Sequence, residues 1–303
     1  MLSLLSSITA HKEDRVWHMA WSHCGKFLAT CSEDKTVNVW SAEDETTPPV
    51  LIATLEDAHS RTVRACEFSP DGELIASASF DGTVIIWEVN NKAKSSWDQI
   101  ASLEGHESEV KSLAWNHEGS LLATCGRDKR VWVWERLHES EFECVSVLEG
   151  HSQDVKFVTW HPSGNVLYSS SYDDTIRVWR EEDDEWYCGE TLSGHASTVW
   201  GLTLSPDGAR LCSCSADRSL ALWACPTPGA VSSEEHRKLT ALKAVHGHAV
   251  LSAHWNPSAA LVATCSQDNA ITVSRVEGSA DSSALAICCS VSSAHGNDVN
   301  CVR

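Results

Sequence analysis

The sequence predicts an all-β fold, a propeller of four-stranded blades, from three recurring marks. Seven histidines, His11, His59, His106, His151, His195, His246 and His295, stand 44 to 51 residues apart, and a valine follows each by four residues (five in the first), from Val16 to Val299. An aspartate follows the first six histidines after 22 or 23 residues: Asp34, Asp81, Asp128, Asp173, Asp217 and Asp268. Six residues further on stands Trp40, Trp87, Trp134, Trp179 or Trp223, and only the sixth unit departs, with Ser274. Self-similarity near this period is the signature of blades of about 40 to 45 residues, with the excess held in loops.

Within a unit the pattern is short and β-like. Ser112–Trp115, Leu121–Cys125 and Arg130–Trp134 are rich in β-branched or aromatic residues, and units carry turn signals such as Pro70-Asp71-Gly72 and Pro206-Asp207-Gly208. Three inner strands are expected per unit, with a fourth, such as Cys144–Leu148, leading into the next histidine. A hydroxyl lies four positions before each aspartate: Thr30, Ser77, Thr124, Ser169, Ser213 and Thr264. Carboxylate, imidazole, hydroxyl and indole N–H in series can satisfy one another, where an unpaired polar group would be costly. This quartet resembles the hydrogen-bonded tetrad of WD40 repeats. Six copies at blade intervals would otherwise mean six active sites, so the histidines, serines and aspartates read as structural and the chain as no enzyme.

Residues 1–303 are expected to form a single WD40 β-propeller, seven-bladed by design, with six complete repeats. Residues 2–9 alternate well enough to supply the closing outermost strand of the last blade. A partial seventh repeat, 295–303, stops just after its first strand begins, so the seventh blade is expected to be truncated and to leave open sheet edges.

Composition narrows the partners. Lys and Arg number 23 against 42 Asp and Glu, and a net charge of −19 repels phosphate backbones and anionic lipid, so neither nucleic acid nor membrane is expected as a partner. No apolar run reaches membrane-spanning length, and the N-terminal stretch lacks the pattern of a signal peptide. Thirteen cysteines without an export signal point to a reducing compartment, the cytosol first and the nucleus second. No Cys-x-x-Cys occurs, the nearest approaches being Cys212-x-Cys214 and Cys288-Cys289, so no metal site is expected. Cys31, Cys125, Cys214 and Cys265 share one repeat position with Ala78 and Ser170, where a small buried residue is wanted. No phosphate-cradling glycine motif occurs, and no cofactor is expected. The acidic run Glu181–Glu185 reads as a solvated loop of blade four that could meet a basic partner, and 224–237 as a long mobile connection.

Over residues 104–202 the runs EGHESEVKSLAW, LLATCGRDKRVWVWE, FECVSVLEGHSQDVK, WHPSG, SYDDTIRVWREEDDEW and LSGHASTVW resemble the cytosolic iron–sulfur protein assembly family of WD40 proteins. HSRTVRACEFSPDGELIASASFDGTVIIW in blade two and AHGNDVNCV near the end extend the resemblance over essentially the whole chain. It implies a scaffold that docks the other subunits of the cytosolic iron–sulfur targeting complex, one small and acidic and one a large helical repeat, together with apoprotein clients, for late cluster delivery. The lack of cluster-ligand cysteine spacing agrees with docking rather than carrying a cluster. Where that family often shows Leu-Tyr-Arg, a signal read by the iron–sulfur cochaperone, this chain has Val178-Trp179-Arg180. The alternative is a generic adaptor, such as a ubiquitin-ligase substrate receptor or signalling scaffold. The ligase reading lacks its usual Trp-Asp-x-Arg mark, since Trp40, Trp87, Trp134, Trp179 and Trp223 precede Ser41, Glu88, Glu135, Arg180 and Ala224.

The docking surface is expected in the turns between second and third strands, on the residues just before the repeat aspartates: Glu33, Phe80, Arg127, Tyr172, Ala216 and Gln267. Phe80 and Tyr172 flanking Arg127 on consecutive blades have the composition of an interface hot spot, whereas a merely solvated turn would carry small polar residues. Arg127 is the expected anchor for a partner carboxylate, such as that of a client's C-terminal tail. Arg64, Lys111 and Lys156, which follow the repeat valines, add positive charge around it.

Overall fold

The computed structural model describes residues 4–12, 14–42, 47–90, 95–137, 141–164, 166–226, 235–279 and 282–303. These form 24 strands in six four-stranded sheets, each a meander in chain order, and no helix occurs among the described residues. The chain divides into two compact units, Ser3–Val147 and Leu148–Arg303, with three sheets in each.

In the first unit, sheet one holds β1 (Val16–Trp21), β2 (Phe27–Ser32), β3 (Val37–Ser41) and β4 (Val50–Leu55). Sheet two holds β5 (Val63–Phe68), β6 (Leu74–Ser79), β7 (Val84–Val89) and β8 (Trp97–Leu103). Sheet three holds β9 (Val110–Trp115), β10 (Leu121–Gly126), β11 (Val131–Arg136) and β12 (Phe142–Leu148). In the second unit, sheet four holds β13 (Val155–Trp160), β14 (Val166–Ser171), β15 (Thr175–Glu182) and β16 (Glu185–Ser193). Sheet five holds β17 (Val199–Leu204), β18 (Arg210–Ser215), β19 (Leu220–Ala224) and β20 (Arg237–Leu242), and sheet six holds β21 (Val250–Trp255), β22 (Leu261–Ser266), β23 (Ile271–Ser279) and β24 (Ser282–Val291).

Second strands are built from small residues because both their faces are covered. In β6, Leu-Ile-Ala-Ser-Ala-Ser, every side chain is buried, and the repeat position of Cys31, Ala78, Cys125, Ser170, Cys214 and Cys265 is fully buried in all six sheets. Such strands let the next sheet approach, so β2 packs on β5, β6 on β9, β14 on β17 and β18 on β21. Apolar cores fill these gaps: Val39, Phe68 and Trp87 between sheets one and two, and Val178, Leu202 and Trp223 between sheets four and five. The predicted Pro-Asp-Gly turns form as expected. Gly72 and Gly208 sit at φ 72° and 71°, and each N–H returns to the serine carbonyl three residues back at 2.8 Å.

One irregularity repeats in every sheet. The first strand bulges just after its repeat valine, so that the register with the second strand skips Trp17, Arg64, Lys111, Lys156, Trp200 and Leu251. A bulge re-aims the side chain it releases from the pleat.

Three expectations need adjustment or a boundary. The described residues 4–9 form no strand, and Leu4 and Leu5 are 85% and 82% exposed. The acidic run is mostly strand: β15 continues to Glu182 and β16 begins at Glu185, leaving Asp183 and Asp184 as the turn at φ 53° and 63°. Of the connection 224–237, residues 227–234 lie outside the described residues.

Candidate protein-docking site

The site rests on a rigid frame. In all six sheets the repeat histidine leads into the first strand, the hydroxyl stands on the second, and the aspartate in the turn after it. Imidazole Nδ1 lies 2.7 to 3.2 Å from the aspartate, and Nε2 lies 2.7 to 3.0 Å from the hydroxyl. In five sheets the indole N–H on the third strand donates to that hydroxyl at 2.8 to 3.0 Å. The series has one consistent set of donors: indole N–H to hydroxyl oxygen, hydroxyl O–H to Nε2, and Nδ1–H to carboxylate. Burial works against the charge on Asp81, Asp173 and Asp217, but hydrogen bonds from their histidines and from Thr83, Thr175 and Ser219 prevail. All three carboxyls are held well below the ordinary carboxylate range. These groups are consumed in holding strands together, which is the structural role expected of them.

The cysteines at the shared repeat position offer no ready ligand. Burial pushes the Cys125, Cys214 and Cys265 thiols far up, and Cys212 up to about 12, so the thiolate that would bind metal is disfavoured. Among the described residues no group of three or more His, Cys, Asp and Glu side chains is placed to hold a metal ion.

Upon the frame sits a repeated rim. The residue before each repeat aspartate donates its N–H to the carbonyl just before the repeat valine, six times at 2.9 to 3.2 Å, as from Phe80 to Thr62, Arg127 to Glu109 and Tyr172 to Asp154. That bond fixes the turn beside the bulge, so turn residue and bulge residue share one rim in each sheet.

In the first unit this rim is cationic and aromatic. The Arg15 and Arg64 guanidinium carbons each lie 5.1 Å from the Trp17 ring centre, and Phe80 is 6.3 Å from Trp17. Arg61 lies 6.0 Å from the Phe80 ring and donates to the Phe80 carbonyl at 2.6 Å. Arg127 is 60% exposed but already engaged, reaching the two Glu109 oxygens at 3.3 and 3.4 Å, with Arg61 3.5 Å from the same carboxylate. Burial opposes the charge of Glu109, yet its own backbone N–H and the two arginines hold its carboxyl below the usual range.

In the second unit the Lys156 ammonium lies 4.7 Å from the Tyr172 ring centre, 4.9 Å from that of Trp200 and 3.7 Å from Asp154. Tyr172 is 54% exposed, whereas the Lys156 side chain is almost covered, so the tyrosine is the displayed group and the lysine its support.

Phe80, Arg127, Arg64 and Lys111 therefore belong to the rim of the first unit, and Tyr172 and Lys156 to that of the second. Sequence reasoning passed over Trp17, Trp200, Arg61 and Glu109. The first two stand directly after repeat valines, so reading that column through all six repeats would have found them.

Val178-Trp179-Arg180 lies within β15. Val178 is fully buried, and Trp179 is the tetrad tryptophan bonded to Ser169, so only Arg180 has a partly open side chain.

A frame built six times over, with a rim of variable side chains, defines a repeat protein of the WD class. The chain belongs to the WD40 family (WD domain, G-beta repeat), whose profile matches residues 2–41, 49–88, 97–135, 142–180, 186–224 and 239–273. It is similar to the probable cytosolic iron-sulfur protein assembly protein Ciao1 of Aedes aegypti, 46% identical over 63 residues, or 21% of this chain and 18% of that protein. The human protein of the same name is 42% identical over 63 residues, again 21% and 18%, and the Caenorhabditis elegans homologue 43% over 60 residues, 19% and 18%. The chain thus spans less than a fifth of the length of these relatives in the matched stretch, narrower than the whole-chain resemblance expected from its motifs.

Proposed function

We propose that this chain is a non-catalytic docking scaffold of cytosolic iron–sulfur protein assembly, working in the cytosol. The observation that carries this reading is the 42 to 46% identity to three proteins named for that process, on a chain whose polar repeat residues are consumed in structure. Its partners are the other subunits of the targeting complex and the apoprotein clients that receive clusters. The reading includes a single propeller over 1–303, seven-bladed by design. Support for a seventh repeat at 295–303 comes from Val299, which is buried and donates its N–H to the Ser266 carbonyl at 3.1 Å.

Docking is assigned to the rim: Arg127, Phe80, Arg64 and Lys111 in the first unit, Tyr172 and Lys156 in the second. A bulge or tight turn holds each of these residues outside the strand register, so partner contacts can form there without disturbing the tetrads. Arg127 captures a partner carboxylate by exchanging it for Glu109, which Arg61 continues to hold. The test is a pull-down of targeting-complex subunits and a client apoprotein by wild-type and Arg127→Glu protein, with melting curves for both. Capture should be lost while stability changes by about 0.5 kcal/mol or less, as for an exposed ion pair. Undiminished capture by a folded variant removes this rim from the account, and co-purification of a cullin adaptor instead of targeting subunits would favour a ligase receptor.

A further inference from the structure

The position just before the tetrad hydroxyl is Ala29, Ala76, Ala123, Cys212 or Ala263 in five sheets and Tyr168 in the fourth. No packing requirement of the repeat asks for a tyrosine there, since five small residues serve the same place. Tyr168 is 1% exposed and reaches from β14 into sheet five, where its hydroxyl lies 2.9 Å from Nε2 of His236 and its ring meets the imidazole edge-on at 5.5 Å. On its other side His236 is held by Glu190 of β16, with Nδ1 at 2.7 Å and the backbone N at 3.2 Å from Oε2. His236 immediately precedes β20, the outer strand of sheet five. Two groups of sheet four thus grip the entrance of a strand belonging to sheet five.

The donor pattern has one neutral solution. Nδ1–H and the backbone N–H donate to the Glu190 carboxylate, and Nε2 accepts the Tyr168 O–H. A proton added at Nε2 would face that O–H. The hydroxyl would have to turn and offer a lone pair, its own hydrogen being left to the Cys225 thiol beside it, a weak acceptor. The other charged or titratable groups facing the site are Arg180 of β15, His161 of the turn after β13, and Asp207, whose charge acts on Cys225, with Arg237 next along the chain. Arg180 and His161 add positive charge against a protonated His236, and only Glu190 favours it.

We propose that His236 is a proton-operated latch: neutral, it pins the start of β20 between Glu190 and Tyr168, and taking up a proton releases it. Burial, ahead of repulsion from Arg180 and His161, lowers the His236 pKa below its ordinary value, so the sign follows. The open form binds the proton more readily than the closed one, and opening is favoured as pH falls below the ordinary histidine range near 6.5. The closed latch is fully favoured above that pH.

Cys225 supplies a native reporter, since it is half-buried against the Tyr168 hydroxyl and should be bared further when His236 leaves. The full chain is treated with a disulfide-exchange reagent active in acid at pH 7.5 and 5.5, and labelling is read peptide by peptide by mass spectrometry. Rates are normalised to exposed Cys24, with fully buried Cys212 and Cys214 of the same sheet as controls for general unfolding. Cys225 labelling should rise up to about tenfold at pH 5.5, the limit for one histidine titrating only when open, while Cys212 and Cys214 stay protected. His236→Gln, whose amide can donate to Glu190 and accept from Tyr168 without gaining a proton, should stay low at both pH values. A flat wild-type response overturns the latch. So does the same rise in His236→Gln, which would transfer the effect to His161. Should the glutamine variant fail to fold, the wild-type profile still decides, together with Tyr168→Phe, in which the rise should shrink because no O–H opposes the incoming proton.

Discussion

Sheets three and six carry the same histidine, hydroxyl and aspartate, yet differ in what covers them. In sheet three His106 lies 2.7 Å from Asp128, Trp134 completes the tetrad, and Trp132 closes over the pair, its N–H donating to Asp128 at 3.3 Å and its ring 5.3 Å from the imidazole. Trp132 and Trp134 stack at 5.6 Å, and Gly105 is required beneath them, because a Cβ there would stand 2.5 Å from the Trp132 ring. In sheet six Ser274 replaces the tryptophan and Ala270 the hydroxyl residue that bonds the aspartate in sheets one, two, four and five. His246 and Asp268 stand 3.2 Å apart and line an open pocket of about 540 Å³, and the Ser274 hydroxyl is buried without a partner among the described residues. The repeated polar residues define the frame, and the two sheets differ in the aromatic cover placed over it.

The sharpest break of this contrast is Trp134→Ala, expected to cost about 3 to 5 kcal/mol in chemical unfolding, as for other large buried aromatics. A loss below about 1 kcal/mol would mean the cover does not determine sheet stability. Acid should separate the two sheets next. Burial and Arg303 lower the pKa of His254 on β21 to about 4, and burial, outweighing Asp268, lowers that of His246. Unfolded chain takes up these protons first, so sheet six loses up to about 3 kcal/mol as pH falls from about 6.5 towards 4. Asp128 acts with the opposite pattern. Its pKa is lowered because hydrogen bonds and charge from His106 overcome burial, so its contribution persists until pH falls below the ordinary carboxylate value of 3.8. Hydrogen exchange resolved by peptide, corrected for intrinsic pH dependence, should show β21 to β23 loosening before β9 to β11; simultaneous loosening would contradict this order.

Removing the imidazole should tell the same story on a smaller scale. His106→Ala strands the Thr124 O–H beside the buried Asp128, for about 1 to 3 kcal/mol, whereas His246→Ala should cost less because Asp268 is more open to water and the Thr264 O–H can turn to the Thr272 carbonyl. Equal losses in thermal unfolding would count against a role for the cover. The smallest effect has the opposite sign: Ser274→Ala removes a buried hydroxyl that has no partner among the described residues and should raise stability by about 1 kcal/mol, while a lowered melting temperature would show that the hydroxyl is satisfied.

The tetrads were legible because their chemistry admits few residue types at fixed spacings, and the strand pattern followed from them. Ser112–Trp115 and Leu121–Cys125 fall within β9 and β10. The rim positions were legible as places but not as contacts. Arg127 and Glu109 are 18 residues apart with no recurring mark, and their pairing depends on a turn and a bulge meeting, which periodicity does not encode. The acidic run reads as loop because charge suggests solvent, while Glu181 and Glu182 simply occupy exposed positions of a long outer hairpin. Tyr168 stands out as the one bulky residue in a column of four alanines and a cysteine, but its partner His236 lies 68 residues away, beyond any repeat relation.

The bulge after each repeat valine separates inheritance of shape from inheritance of message. Tryptophan, arginine, two lysines, a second tryptophan and a leucine occupy one backbone setting, and the strand pairing around them is unchanged from sheet to sheet. A mutation at such a slot rewrites what a neighbour meets without asking the fold to be rebuilt. Six slots in one gene can therefore drift independently, and two descendants of a common ancestor can share every tetrad while reading as strangers to each other's partners.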